Sequence, residues 1–351
     1  MRSTWDRSPR DLRSARAAVA PRGDGQATPL ELRLPFRPPL DWDALAGFFA
    51  LRAIPGVEVA RPERYIRSFF LEGSTGVLEV TPRPGAAYLV ARLYVESPAP
   101  LIRIGERLRR QFDLGADPLA IAEELGRDPT LAPLVAQRPG LRVPGAWDGF
   151  EVAVRAILGQ QVSVRGAATL AGRLAQAYGE ALDVTSPHPN GDVMPSRLFP
   201  RPEALLNLDS ARIGLPRARA AAISALARAV GDGSVDLEAS RDLDSTVEQL
   251  RALPGIGEWT AQYVAMRALH EPDAFPHGDL GLRRALGGRV GLASAAEVWS
   301  RGEAWRPWRA YAALHLWNSP AAGPRKRPAA GGAKRSSRAG TKRRGHTRGK
   351  R

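Results

Sequence analysis

The chain has 351 residues, 44% of them hydrophobic and none of them cysteine. That length supports about two packed cores, and the lack of thiols excludes disulfides, zinc–thiolate sites, cysteine-ligated iron–sulfur clusters and covalent chemistry at sulfur. The formal charge of +15 sits in the ends: residues 319–351 hold 12 Lys/Arg and no acid, residues 1–27 hold 6 Arg against 3 Asp, and the stretch between them is neutral.

Both charged ends read as disordered, since Gly, Ser, Pro and Lys/Arg without apolar content cannot form a core. No apolar run approaches a membrane span, and the arginine-rich start lacks a signal-peptide core. A cytoplasmic protein is therefore expected. From Leu30 to Phe36 the residues alternate as in a strand, and Asp41 to Ile54 reads as an Asp-capped helix. Strand-like runs follow at Tyr65–Leu71, Gly76–Thr81 and Tyr88–Val95, then a basic amphipathic helix at Leu101–Phe112. Together they predict an α+β domain over residues 28–140, with short helices in 117–139 and no cluster of chemistry-bearing residues. Beyond it, residues 141–318 read as nearly all α. Helices are predicted at Trp147–Val162, Val164–Tyr178 and Pro216–Val230, with a proline-rich loop at 180–200, and two more close the domain at Glu297–Trp305 and Pro307–Trp317. Five histidines, at 188, 270, 277, 315 and 346, show no metal-ligand spacing. His277 reads as part of a loop.

The most informative stretch runs from Ser245 to Leu282. Ser245 and Glu248 have capping-box spacing, and Val247, Leu250 and Leu253 follow at helical intervals. Pro254 and Gly255 stop that helix. After Ile256 and Gly257 a second helix begins, with Ala261, Val264, Ala265 and Ala268 as a small apolar face. The turn is either an ordinary αα-hairpin or an anion-binding helix N-terminus left open by its glycines. Asp279 follows on a loop, either as the N-cap of the next helix or as a catalytic carboxylate. Trp259 and Tyr263 lie four apart on one helical face, as core aromatics or as walls of a pocket.

LPGIGEWTAQYVAMRAL and DAFPHGDLGLRRAL resemble the helix-hairpin-helix–Gly/Pro–Asp superfamily of DNA glycosylases, and within it the AlkA-type DNA-3-methyladenine glycosylase II family. The likeness continues in GFEVAVRAILGQQVSV, in WRPWRAYAALHLW and in residues 30–140, and covers nearly all of 28–318. It implies a mainly α fold behind an α+β N-terminal domain, with a two-lobed helical core and a cleft between the lobes. It implies a monomeric, nucleoid-associated enzyme that flips alkylated bases out of damaged double-stranded DNA and hydrolyses the base–sugar bond.

Residue by residue, the resemblance makes Asp279 the catalytic carboxylate and Trp259, Tyr263 and Trp317 the walls of the base pocket. Leu253, Pro254, Gly255, Ile256, Gly257 and Thr260 become the hairpin that grips the DNA backbone. The carbonyls of Arg251, Leu253 and Ile256 match those that hold a monovalent cation in relatives, and no other cofactor is implied. Gln161 stands at the wedge tip, where some relatives carry leucine. Relatives that also cut the strand have a lysine where this chain has Trp259, so strand cleavage is not expected. The charged tail is expected to add salt-dependent affinity for phosphates. Trp305, Trp308 and Tyr311 are left to the core. A same-fold enzyme for deaminated bases and a non-catalytic DNA-binding module are the alternatives.

Overall fold

The computed structural model describes residues 29–95, 100–182, 194–238, 243–287 and 291–319. The two charged ends and most of the proline-rich loop lie outside the described residues. The first layer is a five-stranded antiparallel sheet in the order β1-β5-β4-β3-β2. Its strands are β1 (Leu30–Pro35), β2 (Glu58–Arg61), β3 (Arg64–Leu71), β4 (Ser74–Pro82) and β5 (Tyr88–Val95). Strand β2 is absent from the sequence reading, because Glu58 looks like a surface residue yet is 6% exposed inside an ion cluster. Helices α1 (Trp42–Arg52) and α2 (Leu101–Gln111) complete the layer, and Asp41 caps α1 by accepting from the Ala44 N–H at 2.9 Å. Leu45, Phe49, Tyr65, Phe69, Leu78 and Phe112 are buried together in this core.

Helices α3 (Pro118–Leu125) and α4 (Ala132–Gln137) precede residue 140, yet their apolar residues Ile121, Leu125 and Val135 pack into the helical core. That core is built on α5 (Gly149–Leu158), α6 (Val164–Tyr178), a four-residue α7 (Ser210–Ile213) and α8 (Arg217–Gly231). Helices α9 (Leu243–Arg251), α10 (Glu258–Ala268), α11 (Leu280–Gly287), α12 (Ala295–Gly302) and α13 (Arg309–Trp317) follow.

Some helix boundaries differ from expectation. Helix α5 ends at Leu158, four residues early, because residues 159–163 form a turn. The proposed cap Ser245 lies inside α9, which begins at Leu243. Among the described residues a capping box forms at Ser294–Glu297, at the start of α12. Ala261, Val264 and Ala265 are fully buried, so the small face of α10 lets it pack closely on α5. Trp305 and Tyr311 are buried and Trp308 packs on the same core.

The two layers are joined by buried charge. Arg67 on β3 is 2% exposed and donates to Glu151 on α5 at 2.7 Å. Arg155, on the same helix, reaches Glu58 at 3.1 Å and Glu151 at 3.0 Å. Elsewhere Asp113 accepts from the Tyr311 hydroxyl at 2.8 Å and the Val143 N–H at 3.2 Å. Burial raises the Asp113 carboxyl to about 6, although these donors and Arg142 oppose the shift. No helix among the described residues is long and apolar enough to cross a membrane.

Candidate active site

A cleft of about 1460 Å³ opens between α1 of the first layer and the helical core. Asp279, Trp259, Tyr263, Trp317 and Gln161 all line it. Asp279 sits one residue before α11 and caps it: its Oδ1 accepts from the N–H groups of Gly281 at 2.7 Å and Leu282 at 3.1 Å. The same oxygen accepts from Trp317 Nε1 at 2.8 Å, while Oδ2 accepts from Trp259 Nε1 at 3.1 Å. Capping and presentation to the cleft are thus one arrangement. Oδ1 carries three donors and is saturated; Oδ2 carries one and keeps a lone pair for the cleft.

The ring of Trp259 stacks on Tyr263 with centroids 5.3 Å apart and planes 14° apart, and Tyr263 lies 6.5 Å from Trp317. The four-residue spacing on α10 produces the stack, and packing of α13 on α11 brings in Trp317. These rings are half-buried and line the cleft. His277 instead sets its ring edge-on to Trp299 at 5.0 Å.

The first layer, in which the sequence shows no cluster of chemistry-bearing residues, lends side chains to this cleft. Phe48, Leu51 and Arg52 of α1 form a cleft wall. The Arg52 guanidinium lies 3.7 Å from the Phe48 ring centre, and that of Arg267 lies 4.6 Å from it. Arg267 donates to the Tyr263 hydroxyl at 2.6 Å. Burial alone would raise the phenol's pKa, but Arg267, Arg52 and Arg155 together outweigh it and hold it below its ordinary value. Burial lowers the pKa of Arg52 and Arg267 themselves, and among the described residues neither has a carboxylate partner within salt-bridge distance. Arg267 was legible as the third member of the 259–263–267 stripe. Phe48, Arg52 and Arg155 had no local signal, since only the tertiary fold brings α1 and α5 to Tyr263.

At the cleft mouth the hairpin joins α9 to α10. Gly255 has φ +78°, and a Cβ there would lie 2.8 Å from the Ala222 Cβ on α8. Gly257 caps α10, and nothing lies within 4 Å of where its Cβ would be. Leu253 is half-buried, Pro254 exposed and Ile256 buried beneath the turn. Among the described residues the N–H groups of Gly257, Glu258 and Trp259 make no hydrogen bond, so the helix end presents free donors. The Thr260 side chain is 3% exposed, and its hydroxyl accepts from Gln160 rather than facing solvent. The Arg251 and Ile256 carbonyls accept no backbone hydrogen bond among the described residues, and that of Leu253 accepts one, from Ile256 at 3.3 Å. Gln161 is exposed, with φ +57°, at the tip of the turn between α5 and α6. No cluster of His, Asp or Glu among the described residues is arranged to hold a metal ion.

Comparison with known proteins matches residues 31–148 to the AlkA N-terminal domain and residues 154–307 to the HhH-GPD superfamily of base excision DNA repair proteins. Over 320 residues, 91% of this chain, it is 39% identical to a probable bifunctional transcriptional activator/DNA repair enzyme AlkA of Mycobacterium tuberculosis; it spans 63% of that protein. It is 36% identical to DNA-3-methyladenine glycosylase 2 of Escherichia coli over 81% of this chain and 95% of that protein. The fold is that of 3-methyladenine DNA-glycosylase from Archaeoglobus fulgidus, with a TM-score of 0.68 at 23% identity over 82% of this chain and 97% of that one. With the two domain matches in chain order and the Escherichia coli protein covered almost end to end, the chain belongs to the DNA-3-methyladenine glycosylase 2 family, within the HhH-GPD superfamily.

Proposed function

We propose that the protein is a monofunctional DNA N-glycosylase that removes alkylated bases, 3-methyladenine and related N-alkylpurines, from damaged double-stranded DNA in base-excision repair. The observation that carries this reading is Asp279, held by two indole N–H groups at the edge of an aromatic cleft. Breaking the base–sugar bond develops positive charge on the sugar, which a fixed carboxylate stabilises. Oδ2, with its open lone pair, faces that charge and orients the attacking water. An N-alkylated purine is already cationic and leaves without a general acid. Trp259 and Tyr263 receive the flipped base on their faces. The free N–H groups of the hairpin grip a phosphate, Gln161 fills the gap left in the duplex, and the carbonyls of Arg251, Leu253 and Ile256 suit a monovalent cation. Trp259 supplies no amine, so no Schiff base forms and the product is an abasic site. Such an enzyme works as a monomer on the cytoplasmic chromosome.

The test is chromatographic identification of bases released from methylated duplex, with borohydride added to parallel reactions. Release of N-alkylpurines without a trapped protein–DNA adduct is the expected result. A covalent adduct would remove the monofunctional reading, and absence of any released base would leave a DNA-binding module.

A second reading has its own observation. Arg52, which has no carboxylate partner within salt-bridge distance among the described residues, sets a guanidinium at the Tyr263 end of the cleft, where it disfavours a cationic base and can donate to an exocyclic carbonyl. That favours a neutral deaminated purine. Duplex carrying such a base, in the same assay, decides between the two.

Gly281 sets the shape of the site. A Cβ there would come within 2.9 Å of Asp279 Oδ1 and 3.0 Å of Trp317 Cδ1. Gly281→Ala is expected to push these apart and slow single-turnover base release about tenfold, the scale of a misaligned catalytic group, while the thermal midpoint changes little. An unchanged rate would show that the Asp279–Trp317 contact is dispensable.

A further inference from the structure

Gln160 is the residue of the turn at 159–163 whose side chain points back into the protein. Its neighbours Gln161, Val162 and Ser163 are exposed. The Gln160 amide Nε2 donates to the Gly255 carbonyl at 2.9 Å and to Thr260 Oγ1 at 3.2 Å. Both partners belong to the hairpin, 95 and 100 residues further along the chain. One carbonyl sits at its left-handed turn, and one hydroxyl lies in the first turn of α10. The backbone bonds inside the 159–163 turn are long: Gln160 N to the Ile157 carbonyl is 3.3 Å, and Val162 N to the Gly159 carbonyl is 3.4 Å. Gln161 meanwhile holds φ +57°, a conformation that costs a non-glycine residue free energy and persists only where the surroundings impose it. Those two bonds hold the tip loosely, and the Gln160 amide adds a tie from the turn to the hairpin.

We propose that Gln160 is a positioning residue that couples the hairpin's hold on phosphate to insertion of the 161–162 tip into the duplex. The inference rests on the proposed function, in which the hairpin grips the backbone and Gln161 fills the gap. Phosphate at the open N–H groups fixes the Gly255–Thr260 segment, and the two amide bonds then fix the tip at one distance and angle from that phosphate. Val162, 39% exposed beside the tip, offers an apolar flank to the unstacked bases. Without the amide the hairpin still grips, but the tip is no longer aimed.

The experiment uses the full chain and three variants. Gln160→Met keeps volume and removes the donor, Gln160→Ala removes both, and Thr260→Val removes one partner. Probes are an intact duplex and the same duplex carrying a tetrahydrofuran abasic analogue, with 2-aminopurine opposite it to report on stacking in the gap. Both Gln160 variants are expected to bind intact duplex as wild type does. Their preference for the abasic duplex, with the accompanying fluorescence change, should fall about tenfold, the size of one or two hydrogen bonds. Thr260→Val should lose part of this, and adding it to Gln160→Met should cost nothing further, since the bond is already gone. Retained abasic preference in Gln160→Met, or an equal loss on both duplexes, would overturn the coupling. A wild type that fails to prefer the abasic duplex would overturn the proposed function and this inference with it.

Discussion

Asp279→Asn is expected to leave the protein folded and bound to duplex while lowering single-turnover base release by about a thousandfold or more, the loss of some 4 kcal/mol of charge stabilisation. The substitution keeps the side chain's shape. Its amide oxygen can still accept from Gly281, Leu282 and Trp317, so the start of α11 remains capped. The amide nitrogen then faces Trp259 Nε1, a donor opposite a donor at 3.1 Å. More consequentially, the negative charge that in the proposed reaction faces the developing sugar cation is gone. Base release from methylated duplex and affinity for the abasic analogue measure the two halves of the claim. A variant that releases base at the wild-type rate would remove Asp279 from the chemistry, and one that no longer folds would make its cap its main role.

Arg67→Ala should destabilise the fold by roughly 3–5 kcal/mol, the cost of leaving a buried charge without its partner. Arg67 and Arg155 share Glu58 and Glu151 in a cluster where each glutamate touches both guanidiniums. Burial pushes the Glu58 carboxyl up, but Arg155 and Arg67 outweigh it and hold the group below its ordinary value. Removing Arg67 leaves two buried carboxylates facing one guanidinium. Denaturant titration of wild type and variant reads the difference. Pairing Arg67→Met with Glu151→Leu removes a charge of each sign and should recover most of the loss. A destabilisation below about 1 kcal/mol would show that the cluster does not hold the layers together. The effect reaches the cleft, because Arg155 lines it and its charge helps hold the Tyr263 phenol below its ordinary pKa.

The cap made by Asp279 and the shared face of Trp259 and Tyr263 were legible in the chain because that geometry is local, while their assignment to a catalytic pocket came from the family resemblance. A four-residue step on a helix stacks two rings, and an aspartate one residue before a helix caps it. The two-layer architecture, the strands β1, β3, β4 and β5 and the hairpin were legible for the same reason: periodicity and turn residues act over a few positions. The strand at Glu58–Arg61, the wall formed by Phe48 and Arg52, the four-charge cluster and the Gln160 bridge were decided only by the tertiary structure. In each of these a polar or aromatic side chain that looks solvent-facing in its own segment is buried or engaged by a partner dozens of residues away. Local pattern records which face of an element is apolar. It carries no record of which polar group will meet which across the fold, and such pairings joined the two layers through the charge cluster and tied the turn at Gln160 to the hairpin.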